Sequence, residues 1–297
     1  MNKTLLWQPL KSTNVRTKET LTTVSKRLID LAYQKKPHLS ARFVTNYFFR
    51  PQMMREKPHF KKWSDKADTY FIPVENTEHF VKSYSWGEGP VVILMHGWAG
   101  RGLQLYSFIE PLVARGYKVV TFDAPAHGDS TGITTNFFEF YLSLKSVINY
   151  HQNVESIIAH SMGCAAALAN ADFFSFIPKL ALIAPQYDIN LELNSWSEKT
   201  LLSKKNFNKT HRFLEDKYGL DLENLNPKKM ASDLDAEVLL VHDRDDLPCP
   251  HSNSVQLAKK LKQGQLHLTE GLGHYRIVRS PKVIAKVIDF IDPKILN

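Results

Sequence analysis

A chain of 297 residues that is 43% hydrophobic and 23% charged has room for a sizeable buried core and the composition of a globular protein, not a disordered or fibrous one. Its two cysteines, Cys164 and Cys249, make no disulfide framework, no apolar run approaches the roughly 20 residues that cross a bilayer, and no signal-like apolar stretch opens the chain, so a cytoplasmic location is expected. The formal charge of +8 is uneven: residues 1–66 hold 15 Lys and Arg against 4 Asp and Glu, and the remainder sums to −3, so anionic partners concern the first 66 residues alone.

Residues 1–20 are polar and basic with little periodicity and read as a loosely held arm. From Leu21 apolar residues recur at helical spacing (Leu21, Val24, Leu28, Leu31, Ala32), and Pro37 ends the run. A second helical run, Leu39, Phe43, Val44, Tyr47 and Phe48, ends at Pro51. Residues 1–66 therefore read as a basic helical extension to a domain over 67–297. Basic amphipathic helices can lie on membranes, but such stripes more often pack on their own domain. A solvated, lysine-rich outer face is the main expectation and membrane-surface contact the lesser one. No nucleic-acid partner is expected.

The period then changes. Residues 69–73 and 80–86 read as two strands, closed by Gly87-Glu88-Gly89-Pro90. Val91-Val92-Ile93-Leu94-Met95 is a continuous apolar run, which suits a strand buried on both faces. From there strands at 90–96, 117–123, 154–160, 179–185, 236–242 and 265–269 alternate with helices near 102–115, 136–150, 162–174, 252–262 and 280–291. The alternation predicts an open α/β sheet with helices on both faces and ligands at the strands' carboxyl ends. About 50 residues between Pro185 and Ala236 interrupt it, too many for a plain crossover. A helical cap inserted at about 189–232 is the natural reading.

Ile157-Ile158-Ala159-His160-Ser161-Met162-Gly163 carries the chemistry. An apolar strand breaks at a serine between small residues and a helix-favouring run follows. A nucleophile at the apex of so tight a turn needs small neighbours two before and two after, here Ala159 and Gly163. His96-Gly97-Trp98-Ala99-Gly100 ends the first buried strand. Such a loop can aim a backbone N–H at the site, so the N–H groups of Trp98 and Met162 are the candidate oxyanion hole. His96 itself reads as a loop-ordering residue. Asp123-Ala124-Pro125-Ala126-His127-Gly128-Asp129-Ser130 holds an Asp, a His and a Ser, but turn chemistry explains it. His160, beside the nucleophile in a tight turn, is a poor base.

After the strand 236–242 come Asp243, Asp245 and Asp246, and after 265–269 a glycine turn leads to His274. A serine hydroxyl needs a base, and imidazole titrates near neutrality. A carboxylate must then fix its tautomer. The chain order is serine, carboxylate, histidine.

These stretches, with His242 to Pro250 and Gly271-Leu272-Gly273-His274, resemble the α/β-hydrolase superfamily over roughly residues 69–291. The resemblance implies an eight-stranded, mostly parallel sheet flanked by helices, a cap after the sixth strand, and the catalytic set Ser161, Asp246 and His274. Its G-x-x-D-x-x-x-P pattern puts Asp246 four before Pro250, although Asp243 stands at the glycine position; Asp245 is the second choice, and Asp188 lies near an acid position of some relatives. Cys164 replaces a glycine and is expected to pack under the turn. The expected function is hydrolysis of a small-molecule ester or thioester, with no cofactor and no metal. The alternative is a hydrolase-like binding protein with an idle site, acting through its basic N-terminal segment.

Overall fold

The apolar runs become the middle of one sheet. The computed structural model describes residues 27–52, 57–191 and 202–293. Its strands are β1 (Asp68–Pro73), β2 (Phe80–Trp86), β3 (Val91–Met95), β4 (Lys118–Phe122), β5 (Val154–His160), β6 (Lys179–Ile183), β7 (Glu237–Asp243) and β8 (Gly264–Thr269). They lie in the order β1-β2-β4-β3-β5-β6-β7-β8. β2 pairs antiparallel with β1 and β4, and all other neighbours are parallel. Every residue of β3 is buried, because helices cover both faces.

The helices are α1 (residues 27–35), α2 (Pro37–Phe48), α3 (Pro58–Ser64), α4 (Ile109–Val113), α5 (Phe137–Tyr150) and α6 (Met162–Ala169), followed by α7 (Lys204–Tyr218), α8 (Pro227–Met230), α9 (Ser252–Ala258), α10 (Gly273–Arg276) and α11 (Pro281–Ile291). α5 and α6 bury Phe138, Phe140, Leu144 and Leu168 on one face of the sheet. Phe108, Leu112, Val283 and Val287, from the stretch around α4 and from α11, fill the other. Asn136 caps α5, its side chain accepting the Glu139 N–H at 3.2 Å.

Three helices are shorter than spacing predicts. The stretch from Gly102 is a 3-10 helix to Phe108, kinked at Leu105, before α4. Its start is pinned to β4: the Gly102 N–H donates to Asp123 Oδ1 at 2.7 Å, and a Cβ there would sit 2.8 Å from the Phe122 carbonyl. α6 stops at Ala169 because the Asn170 amide takes the Ala166 carbonyl at 2.8 Å, in competition with the helix backbone. α9 stops at Ala258, where the Lys260 and Leu261 N–H groups both fold back onto the Leu257 carbonyl.

The basic segment packs in two places. α1 and α2 lie on α7, where Tyr33, Ala41 and Val44 are buried with Leu202 and Phe207. The Tyr33 and Thr210 hydroxyls are 2.6 Å apart, and the Asp30 carboxylate accepts from the Ser203 hydroxyl at 2.8 Å. Pro37 both ends α1 and opens α2, since its missing N–H costs nothing at a helix's first position. Leu21 and Val24 lie outside the described residues. Part of the apolar stripe faces outward: Leu28, Leu31 and Leu39 are 63%, 48% and 60% exposed. α3 was not evident from spacing. It buries Phe60 in the second core, and Trp63 meets Trp86 edge-on at 6.3 Å. The change of charge at residue 66 is therefore not a change of packing. No helix among the described residues is long and apolar enough to cross a membrane.

Candidate active site

β5 delivers Ser161 into a turn with φ 55° and ψ −122°. A positive φ is uncommon for any non-glycine residue and points to a strained, functional position. The turn is held by the Ser161 N–H donating to the Ile183 carbonyl at 3.0 Å. The small neighbours are required. Ala159 is fully buried, and a Cβ on Gly163 would sit 2.6 Å from the His96 carbonyl oxygen. Cys164 packs beneath, its thiol against the Ala159 and Ile183 carbonyls at 3.2 and 3.4 Å. Burial pushes that thiol well above its ordinary range, so it is inert.

Three of the predicted residues converge. The Ser161 hydroxyl is 3.0 Å from His274 Nε2, and His274 Nδ1 is 2.7 Å from Asp246 Oδ2. A carboxylate only accepts, so Nδ1–H donates to it and Nε2 is left to accept from the serine. Asp246 is fully buried at its side chain. Its other oxygen accepts the Cys249 N–H at 2.8 Å, and His242 Nε2 lies 3.3 Å from Oδ2. Burial raises its pKa, but the hydrogen bonds from His242, His274 and the Cys249 N–H outweigh this and hold it below the ordinary carboxylate range.

The other carboxylates hold the loop. Asp243 accepts from the Thr269 hydroxyl at 2.7 Å and from the Leu272 and Gly273 N–H groups at 3.1 and 3.0 Å. It thus ties down the turn that carries His274, a use for an aspartate at the glycine position that no sequence signal revealed. Asp245 is exposed and accepts the Gly271 N–H at 2.8 Å. Asp188 pairs with Asn226 and Lys228. His242 was also missed; the Ser254 hydroxyl fixes its Nδ1 at 2.7 Å, and its Nε2–H donates to the Cys249 carbonyl at 2.8 Å. A histidine at the end of a buried strand, four before the carboxylate, was the available signal.

The loop after β3 approaches the serine closely. A Cβ on Gly97 would lie 2.7 Å from Ser161 Cβ and 3.3 Å from its Oγ. The N–H groups of Trp98 and Met162 have no acceptor among the described residues, as a helix start and an open loop allow. Two buried imidazoles set this loop. The Ala124 N–H donates to His96 Nε2 at 2.9 Å, and the Ala99 N–H to His127 Nε2 at 3.0 Å. His160 turns away from the serine, its Nε2–H donating to the His274 carbonyl at 2.9 Å. The turn around Asp123 is structural, the carboxylate taking the Gly102 and Asp129 N–H groups. Gly97→Ala is expected to push this loop away from Ser161, because its Cβ would meet the Ser161 Cβ at 2.7 Å and the His160 carbonyl at 3.0 Å; kcat should fall by about 100-fold or more, together with a lower urea midpoint. Wild-type kcat in that variant would remove the close approach from the chemistry.

Burial is the main cause that lowers His96 to about 4 and His127 and His160 to about 3. All three are neutral when folded, whereas the unfolded chain protonates them near 6.5. The unfolded state binds more protons below that value, so stability falls as pH drops from about 6.5 toward 4. The slope approaches about 1.4 kcal/mol per pH unit for each imidazole. Urea midpoints measured from pH 7.5 to 5 should fall steadily; a flat profile to pH 5 contradicts the buried neutral imidazoles. No group of His, Cys, Asp or Glu among the described residues is arranged to hold a metal ion.

A mostly parallel eight-stranded sheet with a serine on a strained strand-to-helix turn defines the α/β-hydrolase class. The chain belongs to the alpha/beta hydrolase family, whose model matches residues 92–287. It is 25% identical over 236 residues to the 2-hydroxy-6-oxononadienedioate/2-hydroxy-6-oxononatrienedioate hydrolase of Comamonas testosteroni, covering 64% of this chain and 82% of that one. It is 30% identical over 207 residues to the lysophosphatidylserine lipase ABHD12 of Danio rerio, covering 63% of this chain and 50% of that protein, so it spans about half the length of that relative. The solved Pyrococcus furiosus esterase Pf2001 aligns with a TM-score of 0.60 at 19% identity, over 82% of this chain and 96% of that one. Est1E from Butyrivibrio proteoclasticus, with ferulic acid bound, aligns at 0.57 and 17%, over 75% and 96%. These two share the fold.

Proposed function

We propose that the chain is a serine hydrolase of ester-type bonds, a carboxylesterase or thioesterase acting on a small molecule with an apolar acyl group. The observation that carries this reading is the unbroken line from Ser161 through His274 to Asp246, at 3.0 and 2.7 Å. His274 Nε2 takes the Ser161 proton as Oγ attacks the acyl carbon. The carbonyl electrons move to an oxyanion that receives the Trp98 and Met162 N–H groups. The imidazolium, stabilised by Asp246, gives its proton to the leaving oxygen or sulfur, which departs and leaves an acyl-serine. Water, deprotonated by the same imidazole, then attacks that ester. The acid leaves and the serine proton is restored.

The insertion between β6 and β7 is the cap in this reading. The Tyr218 hydroxyl at the end of α7 accepts from the Asn136 side chain at 3.2 Å, at the start of α5. About one turn further along α5, Trp98 stacks on Phe140 with centroids 6.3 Å apart. Trp98, half-buried on the loop whose Gly97 approaches Ser161, supplies an aromatic surface that suits an apolar acyl group. Relatives named for a lysophospholipid and for an oxo-dienedioate leave the acyl and leaving groups to experiment. A cytoplasmic location suits a chain whose two cysteines, both buried, make no disulfide framework.

The test is reaction with a fluorophosphonate, which traps an activated serine. One adduct per chain, mapped to Ser161 by mass spectrometry, is expected, with a panel of esters of increasing acyl length defining the pocket. A native protein that takes no label sinks the reading and leaves the idle-site binding protein.

A further inference from the structure

We propose that the α1–α2 pair docks this protein on an anionic phospholipid surface. The two helices use one side of their stripe to bury Tyr33, Ala41 and Val44 against α7. The other side stays open. Leu28, Leu31 and Leu39 are 63%, 48% and 60% exposed, and a groove between the helices is lined by Leu28, Ile29, Ala32, Leu39 and Val44, with Lys35 and Lys36 at the turn. Exposed aliphatic side chains grouped in this way mark an interaction surface.

Charge selects the occupant. Arg27, Lys35, Lys36 and Arg42 are all exposed around the leucines. Asp30 is the only carboxylate in residues 27–52, and it is turned inward onto Ser203 and Asn206. The outer face therefore offers aliphatic groups inside a purely cationic rim. A lipid surface takes both, because leucines enter the acyl boundary while lysines meet phosphate and carboxylate headgroups. A nucleic acid would meet the cations and leave the leucines in water. A second copy would bring one cationic rim against another. Residues 1–26, with 5 Lys and Arg and one Glu, add to the positive charge of this end of the chain.

α1 and α2 sit on α7, and the Tyr218 hydroxyl at the end of α7 accepts from Asn136 at the start of α5, so the docking face is anchored to the hydrolase domain. The docking itself requires no turnover, so it stands apart from the ester reading.

The experiment is co-sedimentation of the full chain with vesicles of phosphatidylcholine alone and of phosphatidylcholine with phosphatidylserine. Binding is expected to the anionic vesicles, to fall with added salt, and to be slight on the neutral ones. The variant Leu28→Ser/Leu31→Ser/Leu39→Ser should bind about tenfold more weakly or less, with an unchanged circular dichroism spectrum and unchanged hydrolysis of a soluble ester. Lys35→Gln/Lys36→Gln should reduce the preference for anionic lipid. Deleting the helices is a poorer test because it uncovers Leu202 and Phe207. The proposal is overturned if the native chain binds neither vesicle, if it binds both equally, or if the leucine variant binds like the native chain. It is equally overturned if sedimentation velocity shows a dimer that the leucine variant dissolves. Vesicle binding without any ester hydrolysis would leave docking in place and end the ester reading.

Discussion

Ser161→Ala is expected to lower ester turnover by about 10⁵-fold or more, the scale on which removal of an activated nucleophile acts. The hydroxyl has one described partner, His274 Nε2 at 3.0 Å. The features that shape the turn belong to the backbone and survive the change: the N–H to the Ile183 carbonyl and the Cys164 N–H to the Ser161 carbonyl at 2.9 Å. Alanine keeps the Cβ and carries the same cost at φ 55°. The variant should therefore fold with the native urea midpoint and bind substrate with little change, and steady-state rates on a soluble ester should isolate the chemical step. Activity within tenfold of native, in a preparation free of contaminating esterase, would mean that another group attacks.

Asp246→Asn is expected to lower kcat by about 10⁴-fold, and Asp245→Asn by no more than a few-fold. Asp246 is buried with His274 Nδ1 at 2.7 Å, whereas Asp245 is exposed and its carboxylate accepts the Gly271 N–H at 2.8 Å. An asparagine at 246 can present an N–H where the carboxylate accepted one. The imidazole then carries its proton on Nε2, facing the serine, and cannot act as base. The pH dependence gives a second signature. The folded pKa of Asp246 is depressed, so its contribution to stability is complete above the unfolded value near 3.9 and is lost as pH falls through the folded one. Asp246→Asn should therefore be less stable than native at neutral pH, and the gap should narrow in acid. Equal losses of kcat in the two variants would move the assignment away from Asp246.

Much of this was legible in the chain because its causes are local. The run 91–95 is apolar at every position, and its strand is buried on both sides. Ala159 and Gly163 stand where the turn tolerates nothing larger, and the distances around Gly163 show why. Helix ends were less legible. The start at Gly102 is set by a partner beyond another strand, Asp123, and no short window of sequence contains both halves of such a bond; Asn170 stops α6 through the local Ala166 carbonyl, while its amide also reaches the Tyr141 carbonyl on α5. α3 escaped notice because seven residues with two anchors, Phe60 and Trp63, make too short a period to detect.

What the sequence determined by itself was the kind of sheet, the sharp turn at Ser161 and the order of serine, carboxylate and histidine, all consequences of side-chain size and apolar spacing along the backbone. What only the tertiary structure decided was the division of labour among neighbours of the same chemistry. Asp243, Asp245 and Asp246 differ because β7 and β8 pair in a fixed register, Asp243 opposite Thr269. That register hands Asp243 to the loop and Asp246 to His274, and a slip of one residue would exchange the faces. The basic helices follow the same rule. Their periodicity marked an apolar stripe, but which half of it meets protein and which half faces outward depends on the shape of α7, some 170 residues away in the chain.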